Sequence, residues 1–522
     1  MKDLLSELRQ ASAALGSAVD AEEAESLILE GLRQLCRADL AVLLEPVAPQ
    51  HWQGSLYLPP DFAQATMPPL EVDWSSAAGT RRHTALERII SQKQPLAFAD
   101  PIRAGEFDFS HLRLIEVARE KPVGACMLLP LRERGRAVEK IVELVRLGAA
   151  DEIEPFREEE LNAAAILAQQ GGTVLTQIIS HRELSELFES LIQLIGSAID
   201  EKSPFAGDHC RHVPMLSMIL ARAVSESQQK AFKTAHLTAT DLYELEVAAW
   251  LHDIGKLITP VNVTDKATKL ERTIDRFDLV RTRFEILRRD LEIERLRAGE
   301  PAGELEVAAG DWDFDEMLDD LRFLADCNRG TKSLSEAETE RVGEIVARYR
   351  WIDRQGGEMP VLTADEAENL KVVRGTITDA ERDMIQHHVV STINMLDMLP
   401  FPEELARVPE IAASHHEYYN GQGFPVGLKG EQMLIQSRIL AFADLFASIS
   451  AVSRPYKRRN TLSRSLDIMR EMVDEGKVDP DLFRLFVEEG LYQQYAEEFL
   501  SRDQIDPVDP GKLLKDLPQG GS

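Results

Sequence analysis

Histidine placement constrains this 522-residue chain more than any other feature: eight of its 12 histidines lie between 209 and 416, four of them as the pairs His387–His388 and His415–His416. These pairs, and the dipeptide His252–Asp253, fall on segments with helical periodicity. In DLYELEVAAWLHDIGKL (241–257), Leu242, Leu245, Ala248, Ala249 and Leu251 predict a buried helix, with Gly255 as its C-terminal stop. GTITDAERDMIQHHVV opens on a capping box, Thr378 with Glu381, which puts Ile385 and His388 on a helix. His387 and His388 stand about 100° apart around it, and His388, three residues after Ile385, is the better candidate for the core. ELARVPEIAASHHE ends a helix at His415 and His416, and RILAFADLFASIS (438–450) sets Asp444 among apolar neighbours.

Singly, each feature has an ordinary explanation. A His–Asp dipeptide or a His pair caps a helix, and Asp444 has Arg438 and Arg454 as ion-pair partners within reach of the chain. Jointly they supply neutral imidazoles and carboxylates from several helices of one bundle, which is how buried di-metal sites are built. A carboxylate in a setting like that of Asp444 is costly to bury unless it is paired or ligates a cation. Mixed His and carboxylate ligation favours iron, manganese or zinc over magnesium.

Composition sets the frame. The length predicts two to four domains of roughly 100–200 residues each. A formal charge of -30, from 59 Lys plus Arg against 89 Asp plus Glu, excludes gripping nucleic acid or an anionic membrane by bulk attraction, so a polyanionic ligand needs a local basic patch or a metal. Cys36, Cys126, Cys210 and Cys327 form no CxxC pair, which excludes a disulfide framework and a thiolate zinc site. MKDLLSELRQ lacks an apolar signal core, and nowhere do eighteen apolar residues run together. The expectation is a cytoplasmic protein with no membrane span and no nucleic-acid partner.

From 1 to 180, helical and strand patterns mix. AEEAESLILEGLRQLC (21–36) predicts an amphipathic helix, DLAVLLEPV (39–47) and GACMLLPLRE (124–133) predict strands, and RERGRA (132–137) a hairpin turn into VEKIVELVRL. With FREEELNAAAILAQQGGTVL (156–175) as its last helix, this α/β segment resembles a GAF domain, a sensory module. It lacks the NKxxxF…DE signature of cyclic-nucleotide-binding members, and its ligand is unassigned. Leu184, Leu187, Leu191, Leu194 and Ala198 then alternate by three and four, the seam of a connecting coiled-coil helix over 181–199.

HDIGK (252–256), His388, HHEYYNGQGFP (415–425), Asp444 and SRPYK (453–457) follow in an order that resembles the HD-GYP phosphodiesterases of cyclic di-GMP signalling, within the HD superfamily. SPFAGDHCRHVP (203–214) is similar to the segment that precedes HD in that family and contributes His209. The resemblance implies an all-α HD helical bundle over 200–505; the charged stretch at about 266–365 reads as an inserted helical subdomain, and the Pro- and Gly-rich PVDPGKLLKDLPQGGS as a loosely ordered tail at 506–522. It further implies that His209, His252, Asp253, His388, His415, His416 and Asp444 hold two divalent ions, iron or alternatively manganese, with Asp253 bridging. Such ions acidify a water and clamp phosphate oxygens. Asp253 and Lys256 take catalytic roles, and Lys256, Arg454, Lys457, Gly421, Gly423 and Phe424 bind substrate. Two ions rather than three are implied, because Phe205 stands where trinuclear members carry Glu; Asp208 is the alternative third-site ligand.

The reaction implied is hydrolysis of cyclic di-GMP to pGpG, with pGpG or GMP as the end product, in a homodimer paired through the connecting helix and regulated by the GAF-like domain. A protein partner of the diguanylate cyclase type is also implied. The sequence departs from the family at Phe424, where Tyr is usual, at Asn420, where Asp is usual, and in the roughly hundred-residue insertion, which could cover the cleft, touch the N-terminal module or lengthen the dimer face. Two alternatives stay open: an inactive receptor or scaffold, and an HD hydrolase of another cyclic dinucleotide.

Overall fold

The structure is a computed structural model that describes residues 2–518, except 49–50, 58–69, 74–84, 105–106, 108, 110, 132–139, 150, 203–208, 234, 299–313, 354 and 451–458. The hairpin turn expected at 132–137, together with Phe205, Asp208, Arg454 and Lys457, lies outside the described residues. The chain divides into two units, Met1–Phe188 and Glu189–Ser522.

The first unit is built on an antiparallel six-stranded sheet. Its strands are β1 (Leu40–Ala48), β2 (His51–Tyr57), β3 (Leu70–Asp73), β4 (Leu96–Ala99), β5 (Val123–Leu131) and β6 (Lys140–Leu147), in the order β3-β2-β1-β6-β5-β4. Period-two alternation sends Leu40, Val42, Leu44, Cys126, Leu128, Ile141 and Val145 to one face, and Ala41, Leu43, Met127, Leu129, Val142 and Leu144 to the other. Both faces are covered, which is why β1 and β5 read as continuous apolar runs. On the second face pack α1 (Lys2–Leu15), α2 (Ala21–Leu35) and the start of α6 (Glu158–Lys202), through Ile28, Leu32, Ala164 and Leu167. On the first pack α3 (Ala85–Gln92) and α5 (Leu112–Arg119), with the short α4 (Pro101–Ala104) between them in sequence.

Helix α6 (Glu158–Lys202) contains the division between the units. The terminal helix of the first domain and the connecting helix expected over 181–199 are therefore one uninterrupted element. Leu184, Leu187, Leu191 and Leu194 are 66%, 56%, 48% and 64% exposed, an uncovered apolar stripe.

The second unit is a helical bundle. Its centre is α7 (His209–Glu226), α8 (Ala239–Leu251), α14 (Asp379–Leu396), α15 (Val408–Ala413) and α16 (Ile435–Ser450). Helix α8 buries Leu245, Val247, Ala248, Ala249 and Leu251, and α16 buries Ile439, Leu440, Phe442, Ala443 and Phe446; helices apolar on so many sides belong in the middle of a bundle. The capping box at Thr378 and Glu381 starts α14 as the sequence indicates. Gly255 is not the stop of α8. That helix ends at Leu251 with His252 as its C-cap, and Gly255 lies in the following 3-10 turn, Ile254–Ile258.

Between the short α9 (Val261–Thr264) and α14, the insertion forms α10 (Phe277–Ala298), α11 (Phe314–Asn328), α12 (Glu336–Arg348) and α13 (Ala364–Leu370). It is not purely helical: β7 (Arg350–Ile352) and β8 (Glu358–Pro360) pair as a hairpin. Val280, Phe284, Leu324, Val342, Tyr349 and Leu362 give it a core of its own. Two buried lysines tie its ends. Lys266 Nζ donates to Asn369 Oδ1 at 2.6 Å and to Glu381 at 2.8 Å, and Lys269 Nζ donates to the Val372 carbonyl at 2.7 Å. After α17 (Leu462–Asp474), α18 (Pro480–Glu488) and α19 (Leu491–Phe499), the tail is more ordered than its Pro and Gly content indicates. It forms α20 (Pro510–Leu514), buries Leu513, and the Leu513 carbonyl accepts from Arg470 Nε at 2.9 Å.

Candidate metal centre

The ends of the central helices carry the sequence-predicted ligands to one place. His209 opens α7, His252 caps α8 with Asp253 next to it, His388 lies in α14, His415 and His416 follow α15, and Asp444 lies within α16. His388 is buried while His387 is exposed. Asp444 faces histidines instead of Arg438, which pairs with Asp479 at 2.7 Å.

Asp253 stands between two histidine groups. Its Oδ2 lies 3.2 Å from Nε2 of His252 and 3.7 Å from Nε2 of His209; its Oδ1 lies 3.4 Å from Nε2 of His388 and 3.8 Å from Nε2 of His415. Asp444 completes the ring, with Oδ1 at 3.1 Å from His209 Nε2 and Oδ2 at 3.6 Å from His416 Nδ1. Two clusters of mutually close donor atoms result, His209–His252–Asp253 and His388–His415–His416.

Local backbone fixes the imidazoles. The Nδ1 atoms of His252, His388 and His415 lie 2.6, 2.5 and 2.6 Å from the carbonyl oxygens of Ala249, Ile385 and Ala412, each three residues back. Donation from Nδ1 leaves Nε2 as the lone-pair nitrogen aimed inward, the tautomer a metal ligand needs.

Charge is balanced by close opposites. Burial alone would raise the Asp253 carboxyl, but Lys256 and His252 beside it hold it well below the usual range. Burial likewise opposes ionisation of Asp444, and the imidazoles of His209 and His252 beside it outweigh that and hold it well below the usual range. Against burial, Asp253 and Asp444 raise His252 to about 10. Burial lowers His416 to about 4 and pushes His415 down as well, so both stay neutral. Lys256, about a third exposed, sets its ammonium 2.5 Å from Asp253 Oδ2. His252 Nε2 and Asp253 Oδ1 are buried without a hydrogen-bond partner, and both point into the cluster. Orphaned buried donors of this kind, in an imidazole and carboxylate set, fit a pair of divalent cations.

Beside the cluster lies the loop that follows His416. The Phe424 ring centroid is 4.9 Å from that of His416. Gly423 is required by close packing, because a Cβ there would stand 2.2 Å from the Tyr418 amide nitrogen. Gly421 has φ 80°, the left-handed region that glycine adopts freely. Asn420 accepts from the Gln422 amide at 2.9 Å and donates Nδ2–H to the Glu475 carbonyl at 3.0 Å, a donation an aspartate could not make.

Two contributors escaped the sequence reading. Buried Glu417 accepts from the amides of Val426, Gly427 and Leu428 at 2.8–3.0 Å and so shapes the loop. Its position directly after the His pair was the available signal. Thr392, one turn beyond His388, accepts from the Gly255 amide at 3.0 Å and donates to the His252 carbonyl at 3.1 Å. The i, i+4 spacing put it on the same helix face as His388.

The two units correspond to two known domain families. Residues 20–175 match the GAF domain and residues 358–482 match the HD domain, so the chain carries an α/β GAF domain followed by a helical HD region. The HD match begins within the insertion and includes His388, His415, His416 and Asp444, whereas His209, His252 and Asp253 precede it. Among curated relatives, the chain is 35% identical over 123 residues to the 3'3'-cGAMP-specific phosphodiesterase 1 of Vibrio cholerae, covering 24% of this chain and 27% of the relative. It is 34% identical over 109 residues to phosphodiesterase 3 of the same name and organism, covering 21% and 23%. With a cyclic di-GMP phosphodiesterase of Pseudomonas aeruginosa it shares 33% identity over 119 residues, covering 23% and 28%. The matched stretch thus spans about a quarter of each relative's length. Among the described residues, no helix is long and apolar enough to cross a membrane.

Proposed function

We propose that the chain is a metal-dependent phosphodiesterase that opens cyclic di-GMP to pGpG, with pGpG or GMP as the released product, under control of its GAF domain. The observation that carries this reading is the position of Asp253, one oxygen toward each histidine group. His209, His252, His388, His415, His416 and Asp444 would hold two cations with Asp253 shared, and iron or manganese suits the donor set. When bound, such a pair lowers the pKa of a shared water and screens phosphoryl charge. Lys256 places positive charge beside Asp253, where it stabilises developing charge on a phosphoryl oxygen. Partly exposed Phe424 offers a ring face on which a purine stacks. Arg454 and Lys457 supply further cations for the ligand's phosphates.

The exposed leucine stripe of α6 supports pairing with a second copy, since a heptad seam buries its apolar edge against a like helix. The test of the activity is metal analysis coupled to cyclic di-GMP turnover on anaerobically purified protein. Two bound iron or manganese ions with release of pGpG or GMP is the expected result; absence of metal and of turnover when both metals are supplied would sink the reading. Hydrolysis of 3'3'-cGAMP is the second reading, favoured by the names of two relatives, and product analysis with both dinucleotides separates them.

A further inference from the structure

The last two turns of α6, which belong to the second unit, touch the helical bundle at three points, each beside a candidate ligand. Asp200 accepts from the Cys210 amide at 3.2 and 3.1 Å through its two carboxylate oxygens, at the N-terminus of α7 directly after His209. Lys202 Nζ donates to the carbonyls of Lys256, Leu257 and Thr259 at 2.7, 2.7 and 2.6 Å, at the C-terminal end of the 3-10 turn that follows Asp253. Gly196 lies against Trp250, two residues before His252; a Cβ there would stand 2.8 Å from the indole. Glycine inside a helix costs about 1 kcal/mol relative to alanine, so this close approach is the reason for its presence.

The charges match the helix ends they meet. A carboxylate from α6 satisfies an amide at a helix N-terminus, and an ammonium from the same turn satisfies carbonyls at a helix C-terminus, the arrangement both termini favour. The Lys202 contact is not local: it reaches 54 to 57 residues along the chain.

We propose that Lys202 and Asp200 are positioning residues of the metal centre. Together they set the placement of Asp253 and Lys256 on one side and of His209 on the other, so that a shift of this one helical turn is read directly by the ligands of one cation. This rests on the metal-centre reading above, and it names the residues through which that centre would be tuned.

The test uses the full chain with cobalt(II) as the probe, whose visible absorption reports ligand geometry. Lys202→Met keeps the apolar stem and removes the charge. Cobalt affinity is expected to fall about 10- to 100-fold, the usual effect of removing a group that orients a ligand, with a changed absorption spectrum. Lys202→Arg restores most of the affinity, and Glu201→Gln, on the exposed side of the same turn, matches wild type. Asp200→Asn, the milder change, is expected to weaken cobalt binding without removing the Lys202 contact. A Lys202→Met protein with wild-type cobalt affinity and spectrum but a lower unfolding temperature would show a purely structural role and overturn the proposal. A wild-type chain that binds no cobalt overturns the metal-centre reading itself, and this proposal with it.

Discussion

Gly255 lies so close to His388 that a Cβ on it would stand 2.0 Å from the His388 carbonyl oxygen. The same Cβ would fall 2.7 Å from the Thr392 amide nitrogen. The obstacle is helix backbone, which cannot swing aside as a side chain does. Gly255→Ala is therefore expected to destabilise the second unit by about 3 kcal/mol or more and to separate Asp253 from His388. Denaturant unfolding with and without manganese checks this; an unchanged midpoint in both conditions would remove the packing argument.

Asp253 and the peripheral ligands differ in the number of donor groups they face. Asp253→Asn, which keeps the shape and removes the charge, is expected to lower the affinity for both cations. His388→Ala and His209→Ala are expected each to leave one cation near its original affinity. Metal stoichiometry by elemental analysis after dialysis distinguishes the cases, and an Asp253→Asn protein that retains two tightly held ions would contradict the bridging role.

Protonation of the centre gives a signed pH dependence. His252 is raised from 6.5 to about 10, so in metal-free protein its contribution to stability is fully present below pH 6.5 and is lost as pH rises through about 10. Asp253 and Asp444 are depressed below the ordinary 3.8, and their contribution is lost only on strong acidification. A cation needs the neutral imidazole of His252, so binding near pH 8 should release a proton. Calorimetry of manganese binding in buffers of different ionisation enthalpy measures that release, and identical apparent enthalpies in all buffers would contradict it.

Asn420 ties the loop after His416 to the Glu475 carbonyl. Asn420→Asp removes that donor and sets a carboxylate against a carbonyl oxygen, which should loosen the loop while leaving the metal ligands in place. The expected result is a raised KM for the dinucleotide of roughly 5- to 10-fold, equivalent to about 1 kcal/mol for one hydrogen bond, with unchanged metal content.

Phe424 meets His416 through its ring and through its backbone amide, which donates to the His416 carbonyl at 3.2 Å, and neither contact needs a change when a hydroxyl is added, so Phe424→Tyr should keep both metals. Loss of metal in that variant would show that the ring packs otherwise than described. A change in the preference between cyclic di-GMP and 3'3'-cGAMP would place the residue at the base of the bound nucleotide.

Much of this architecture was legible because helix periodicity and capping are local. The Thr378–Glu381 box fixed the phase of α14, and that phase singled out His388 over His387. The strands around Leu43 and Leu128 stood out because both faces of the sheet are covered. What stayed hidden depends on contacts distant in sequence. Nothing in HDIGK shows that its glycine abuts another helix 133 positions on, or that Lys202 caps the turn it begins. The 350–360 hairpin is short, and its strands of three residues carry no usable alternation. The tail misled because its Pro and Gly content concealed Leu513, whose burial depends on α17 and α18 already being in place.

The buried ammonium of Lys266 has an evolutionary consequence. Since it joins Asn369 and Glu381 at a single point, the chain leaves the bundle and returns to it at almost the same spot. The excursion is a closed parenthesis, and its length matters little to the helices that flank it. Doubling such a loop adds only about 0.6 kcal/mol of closure entropy. A segment anchored in this way is free to grow, shrink or be exchanged for another, while the residues that gather around Asp253 keep their places.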